Sequence, residues 1–372
     1  MRRTTRLWQQ PSLPLLGDVV AKLQRIPARS PSFANRAGPV AWLGIDDQGN
    51  RGAAVLRTAM TQYGHQSPSD FYTDVQWHDE ASLGAKPLEA PPLSITVTPV
   101  VDCGVLERSC ASATPAAMAP TSGTHPFAAM DAGAGAAAMY PHIRAASAAL
   151  TEKGYIPFFV GGSISTVLPC VEGVHSVVNE DVVVVHFSGD TGMNYDSAPL
   201  KVLLEKRIVK GIFQFGTRGA SSTARAVRKE HQVRYIDASS IYAKGTFTVK
   251  DIRNDFPIFL SFDASVLDPA FAPGVFMPEP GGLTTRDALH LLSVIRGPRI
   301  VGAALTGFEP RLDVRRGDAG PEHSLTAVAL TKVAKEIILK AYAISSKTAA
   351  EGMAHVQELK KQGQHPERYP DF

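Results

Sequence analysis

Asp263, Asp268 and Glu279 share one stretch, Ser261 to Thr284, that is rich in apolar residues, prolines and glycines. Carboxylates gathered in one place repel each other unless a cation, a shared proton or separate backbone donors hold them. A hard divalent cation is the chemistry that such a group of carboxylates serves. The strand-like run Pro257 to Leu260 leads in, and Thr284 opens a helix. In an α/β protein such a loop lies outside the carboxyl end of a strand, where ligands bind.

Two more loops have the same setting. Ile156 to Val160 reads as a strand running into Gly161-Gly162. Asp181 to Phe187 reads as a β-branched strand, apolar on both faces, followed by Ser188 to Gly192. Parallel strands place all three loops on one edge of the sheet.

These loops resemble the metal-binding signature of the arginase and agmatinase (ureohydrolase) superfamily, over roughly residues 40 to 345. The family's first loop is Gly-Gly-Asp-His-Ser, and here it is Gly161-Gly-Ser-Ile-Ser165. The second is His-Phe-Asp-Ala-His-Thr-Asp, and here it is His186-Phe-Ser-Gly-Asp-Thr-Gly192. The third is Ser-x-Asp-x-Asp-x-x-Asp-Pro, and here it is Ser261-Phe-Asp-Ala-Ser-Val-Leu-Asp-Pro269. Pro278-Glu-Pro-Gly-Gly-Leu-Thr284 and Gln214-Phe-Gly-Thr-Arg-Gly219 match the family's segments closely. The resemblance implies an α/β fold, two manganese ions and release of urea from a guanidinium group.

Carried over position by position, the resemblance implies a degenerate site. The metal positions are Ile164, Ser188, Asp190, Gly192, Asp263 and Ser265. Only Asp263 keeps its type, and Asp190 is the one substitute able to coordinate. Asp196 stands at the position of a proton-shuttling histidine and Asp287 at that of a guanidinium-binding glutamate. In Gly302 to Pro310, Ala304 and Gly307 stand at acidic positions of the family. The resemblance therefore implies a protein without the manganese pair and without guanidino hydrolysis, in a ligand-binding, regulatory or assembly role. The alternative is an agmatinase-like hydrolase with a reduced manganese site on Asp190 and Asp263. No cofactor is expected under the first reading, and Mn2+ under the second. Asp263 has a plainer role than metal ligation, as a relic held by backbone and serine hydrogen bonds. Asp268 and Pro269 shape a turn.

The elements that must position these loops alternate along the chain. Strands are expected at Val40 to Ile45, Leu93 to Val101 (ending at Asp102-Cys-Gly104), Ile156 to Val160, Asp181 to Phe187, Gly211 to Phe215, Val233 to Ile236 and Ile300 to Leu305. Helices are expected from Ala53, and at Met139 to Gly154, Leu200 to Arg207, Ser221 to His231, Thr285 to Ile295 and Leu325 to Ile344. The pattern predicts a three-layer α/β/α fold with a mainly parallel eight-stranded sheet. One domain is expected over 40–345, with a basic extension at 1–39, a low-complexity surface insertion at about 110–138 and a polar tail at 346–372. Gly133 to Ala138 superficially matches a dinucleotide fingerprint, but no strand precedes it.

The chain has 372 residues, a hydrophobic fraction of 44% and a net charge of +3. That length and apolar content support a large core. The basic residues are spread out, so nucleic acid is not an expected partner. Three cysteines in no ligand spacing point to a reducing compartment. No apolar run reaches the roughly 18 residues of a membrane span, so no membrane partner is expected. Met1 to Pro39 holds six arginines and one acid, and reads as either a mitochondrial presequence or a basic arm. The expected location is intracellular, cytoplasmic or mitochondrial. By resemblance, a homotrimer, a hexamer or a hetero-oligomer with an active relative is expected. His186 is expected in the core, bonded but not a ligand; His175, near Glu172, on the surface; and Cys170 as a small buried hydrophobe.

Overall fold

A computed structural model describes residues 40–46, 51–63, 74–78, 97–107, 134–241, 252–253, 256–297, 299–315, 317 and 319–346. The expected extension at 1–39, the tail beyond 346 and most of the expected insertion lie outside these residues.

Nine strands form one sheet: β1 (Val40–Asp46), β2 (Asp74–His78), β3 (Val97–Glu107), β4 (Ile156–Gly161), β5 (Val183–Phe187), β6 (Gly211–Phe215), β7 (Arg234–Ile236), β9 (Ile258–Asp263) and β11 (Ile300–Thr306). Their order is β2-β3-β1-β4-β11-β9-β5-β6-β7, and every ladder is parallel. The short strands β8 (Ile252–Arg253) and β10 (Ile295–Arg296) pair separately. The expected class is right, and the sheet has one strand more than expected, because β2 adds to β3 at the edge. The strand expected to stop at Asp102-Cys-Gly104 continues to Glu107, since its pairing with β1 runs through Glu107.

Among the described residues, seven helices longer than one turn cover the sheet: α1 (Gly52–Tyr63), α2 (Ala134–Glu152), α3 (Val167–Val178), α4 (Pro199–Glu205), α5 (Ser222–Glu230), α6 (Thr285–Ser293) and α7 (Leu325–Ser346). Strand alternation sorts the side chains into two cores. Val40 and Trp42 face α1, α6 and α7, through Leu56, Leu291 and Leu330. Ala41, Leu43 and Ile45 face α2, α3, α4 and α5, through Ile143, Val171, Leu203 and Val227. This is the three-layer arrangement. Phe187 stacks on Phe215 at 5.1 Å and on Phe262 at 5.7 Å. Each such buried ring contributes about 1.5–3 kcal/mol relative to exposure. Those rings fix β6, β5 and β9 side by side, and with them the loops that follow.

Local signals set the helix starts. Ser221 caps α5 by accepting from Ala224 N at 3.0 Å. Thr284 and Asp287 form a capping box at the start of α6. Among the described residues, no helix is long and apolar enough to cross a membrane.

Candidate functional site

The loops after β4, β5, β9 and β11 meet at the C-terminal edge of the sheet. Gly307 N donates to Gly162 O at 2.9 Å, tying the loops after β11 and β4. Ser188 Oγ lies 3.4 Å from Ser265 Oγ, and Gly189 N donates to Ser265 Oγ at 3.2 Å, tying the loops after β5 and β9. The structure thus brings together Ser188, Asp190, Gly192, Asp263 and Ser265.

Asp263 closes β9 and is 6% exposed. Its Oδ1 accepts from Ser265 N at 3.0 Å and its Oδ2 from Thr306 Oγ1 at 2.7 Å. Thr306 is its register partner on β11. A Cβ at Gly307 would lie 2.6 Å from Asp263 Oδ2, at a φ of +83° that side chains rarely adopt. An acid at 307 would break the Asp263–Thr306 bond, so the present arrangement of Asp263 depends on that glycine.

Asp190 is satisfied in the same way. Its Oδ1 accepts from Gly192 N at 2.6 Å and its Oδ2 from Asn194 Nδ2 at 2.5 Å. Burial raises its pKa, the charges of Asp263 and Glu279 raise it further, and the Gly192 and Asn194 donors oppose the rise. Asn194 Oδ1 in turn accepts from Ser221 N at 3.2 Å, so this loop is anchored to the cap of α5.

Ile164 lies in a single 3-10 turn, Ile164–Thr166, after β4. A Cβ on Gly192, whose φ is +62°, would be 2.9 Å from Leu200 Cγ and 3.3 Å from Ile164 Cδ1. The position between the first and second loops is therefore packed with apolar carbon. Asp196 is separate from this group: its side chain is 95% exposed and paired with Lys201 Nζ at 2.5 Å. Lys201 holds its pKa below the usual range. Asp287 accepts from Thr284 N at 3.1 Å and from the Thr284 hydroxyl, so its carboxylate serves the capping box.

A manganese pair needs several carboxylate or imidazole ligands, with coordination filled by water or substrate. The six positions offer two carboxylates, two hydroxyls, one alkyl group and one glycine. All four carboxylate oxygens already accept hydrogen bonds from the protein. This donor set does not fit the cluster. Among the described residues, no three His, Cys, Asp or Glu side chains are grouped to hold a metal ion.

Two arginines brace the loops, and sequence reasoning assigned neither a role. Arg218 donates to Gly216 O at 3.1 Å, to Val266 O at 3.2 Å and to Ser265 O, joining the loops after β6 and β9. Arg228 on α5 is 5% exposed. It donates to Gln214 Oε1 at 2.9 Å and to Thr217 Oγ1 at 2.8 Å, and Gln214 Nε2 donates to Thr191 O at 2.5 Å. Arg228 thereby holds the loop after β5 from below. Gln214 and Arg218 both lie in the quoted Gln214 to Gly219 match, which was the available signal; Arg228 had none beyond its place in a helix.

The other expectations divide. His186 is fully buried, as expected, with Nδ1 3.0 Å from Ser261 Oγ. Its Nε2 has no hydrogen-bond partner, and burial lowers its pKa from 6.5 to about 3. Cys170 is buried in the second core, and burial pushes its thiol up. Asp268 shapes its turn by accepting from Ala270 N at 2.9 Å, Gly281 N at 2.8 Å and Gly282 N at 3.1 Å. His175 is half-buried on the flank where α3 packs against α2, with its Nδ1 sealed from solvent, and the neighbouring Glu172 side chain is 12% exposed.

A family model described as the Arginase family matches residues 49–340. The chain belongs to the arginase family. Among solved structures, T. brucei arginase-like protein is 40% identical, with a TM-score of 0.75 over 91% of this chain and 99% of that one. The arginase of Medicago truncatula shares the fold at 19% identity, with a TM-score of 0.62 over 88% of this chain and 96% of that one. Among curated relatives, the Gallus gallus mitochondrial agmatinase is 27% identical over 188 residues, covering 46% of this chain and 55% of the relative. The chain spans little more than half the length of the first curated relatives it matches.

Proposed function

We propose that this arginase-family protein has lost the manganese pair, does not hydrolyse guanidino compounds, and uses the old cleft for ligand binding, regulation or assembly. The observation that carries this reading is that the six positions bear only two carboxylates, Asp190 and Asp263, and no imidazole, while Ile164 and Leu200 pack apolar carbon against Gly192. Metal-bound water ionises near 7 against about 15.7 for bulk water, a difference worth about 12 kcal/mol of hydroxide stabilisation. The hydroxyls of Ser188 and Ser265 are poor ligands for a hard cation and supply no such stabilisation. Losing one ligand-orienting partner already costs about 10–100-fold in affinity or activity.

A relative supports the assignment of positions. In T. brucei arginase-like protein, a quadruple variant introduces Asp, His, Asp and Asp in place of Ser, Arg, Ser and Ser. Ser188, Asp190, Gly192 and Ser265 have the same spacing of i, i+2, i+4 and i+77. A triple variant of that protein, with Asp, His and Asp at i, i+2 and i+77, is bound with Mn2+. Its unmodified residues at these places are Ser, Arg, Ser and Ser, where this chain has Ser, Asp, Gly and Ser.

The second reading is a hydrolase with one weak metal between Asp190 and Asp263. The coupling of their charges favours it, since Asp263 raises the pKa of Asp190. The test is urea release from a panel of guanidino compounds in excess Mn2+. No turnover is expected, and steady release from any of them overturns the first reading. Installing Ile164→His, Ser188→Asp, Asp190→His, Gly192→Asp and Ser265→Asp together should create manganese affinity. A side chain at 192 requires Leu200 to shift, since its Cγ would lie 2.9 Å from the new Cβ, with Ile164 Cδ1 next at 3.3 Å. A folded variant that binds no manganese would show the loop assignment to be wrong.

Assembly and location extend the same reading. The chain forms a homotrimer or hexamer, or joins an active relative. It resides in the cytoplasm or, with its basic N-terminal region, in mitochondria, as the names of several relatives suggest. Light scattering of the purified chain and imaging of a tagged copy test the two statements.

A further inference from the structure

The flank of α2 and α3 carries a cleft of about 370 Å³, lined by Tyr140, Arg144, Glu172, His175, Ser176, Lys206 and Ile208. It is separate from the loops described above. Helix α3 starts at the C-terminal edge of the sheet, after β4, and returns toward the opposite edge. His175 lies eight residues beyond Val167, about 12 Å down that helix. Lys206 and Ile208 follow the end of α4, which makes the same return.

The charges in this cleft are unbalanced. Glu172 is its one carboxylate, and three groups converge on it. Tyr140 donates its hydroxyl to Glu172 Oε2. Arg144 Nε is 3.6 Å from Oε2 and Lys206 Nζ is 3.9 Å from Oε1. Both cationic distances are too long for hydrogen bonds. The side chains of Arg144 and Lys206 are 54% and 61% exposed, and both line the open cleft. His175 Nδ1 is sealed from solvent beside them without a hydrogen-bond partner. Glu172 therefore orients two cations while leaving their donors unspent.

We infer that this cleft binds a phosphate dianion carried on a small organic molecule, held between Arg144 and Lys206. A planar guanidinium takes two oxygens of a phosphate at once, and an ammonium adds a point charge. The cleft is larger than a bare phosphate and within the range of small-molecule sites. Ile208 supplies an apolar wall for the body of the ligand. The site stands whether or not the manganese reading does, because it shares no residue with the metal positions.

The test is titration calorimetry on the full chain with sodium phosphate and with phenyl phosphate, against sodium chloride of equal ionic strength. Saturable one-to-one binding of phosphate is expected, tighter for phenyl phosphate. Equal affinities would assign the site to the free ion instead of an ester. Arg144→Gln and Lys206→Gln should each weaken binding by about 10-fold or more, as loss of a charged hydrogen bond does. Lys229→Gln, on the exposed side of α5, should leave it unchanged. Ligand-free melting of each variant checks that it is folded. No saturable heat with either phosphate overturns the inference, and so does wild-type affinity in both the Arg144 and Lys206 variants.

Discussion

The loop after β9 and the loop after β5 begin at neighbouring strands of one sheet, yet their carboxylates are placed differently. After β9, Asp263 and Asp268 hold the backbone of their own loop together. Asp263 bonds Ser265 N and the Thr306 hydroxyl, and Asp268 bonds three backbone N–H groups. Those donors hold the Asp268 pKa below the usual range, although burial opposes them. After β5, the buried carboxylate is Asp190, whose pKa is pushed the other way, chiefly by burial. The rest of that loop is held by neutral groups, Ser188 Oγ and Thr191 O, and from beneath by Gln214 and Arg228. An acid that closes a turn has a structural reason to stay whether or not a cation is near. Asp190 also bonds its own loop, through Gly192 N and Asn194 Nδ2, but there burial works against its charge.

The sharpest break of this comparison is to remove one acid from each loop. Asp263→Ala leaves a buried threonine hydroxyl and a backbone N–H unsatisfied, and should destabilise the fold by about 2–4 kcal/mol in chemical denaturation. Asp190→Ala also frees two donors, Gly192 N and Asn194 Nδ2, but it removes a carboxylate that burial disfavours, and should cost less, about 1 kcal/mol. Equal losses would refute the distinction between the loops.

A pH series sharpens it next. Folded His186 titrates at about 3, against 6.5 when unfolded. Below pH 6.5 the unfolded chain takes up a proton that the folded chain refuses. Its contribution is therefore complete above pH 6.5 and declines as pH falls toward 3, by at most about 1.4 kcal/mol per pH unit. Asp190 has the opposite sign: its raised pKa makes the charged form costly, and the cost is relieved as pH falls through the folded value. His186→Asn should flatten the acid slope of stability measured between pH 4 and 6.5. An unchanged slope would place the proton uptake elsewhere.

The smallest effect is expected at Asp196. It is exposed and paired with Lys201 on the surface, so Asp196→Ala should leave the melting midpoint unmoved. A clear drop in melting temperature would mean that this loop packs into the site.

Much of this arrangement was legible in the residues. β-Branched runs between glycine and proline turns gave the strands, and their common direction placed the three loops on one edge. The departures from the family's signature at Ile164, Ser188, Gly192 and Ser265 are residue types, readable without a structure. Helix α3 was not visible. It has Pro169 in its first turn, no side-chain cap at Thr166, and ends on Asn179 in the left-handed region instead of a glycine. β3 was read short because Gly104 resembles a stop, while pairing to β1 carries the strand past it. The bracing by Arg218 and Arg228 was out of reach for a different reason. Each guanidinium finds its partners across segments far apart in sequence, and no local pattern encodes such a meeting.

Asp287 shows how one residue type can carry either meaning. By the resemblance of Thr284-Thr-Arg-Asp287 to the family's motif, it is expected at the place of a substrate-binding acid one methylene longer. In the structure it closes the capping box of α6 with Thr284. The same is true of Asp263, whose two oxygens accept from Ser265 N and the Thr306 hydroxyl and so tie β9 to β11.

The most direct test is the metal content of the native chain after incubation with excess Mn2+ and exhaustive dialysis, measured by elemental analysis. The account predicts far less than one manganese per chain. One or two equivalents retained would contradict it, and would return Asp190 and Asp263 to the role of ligands.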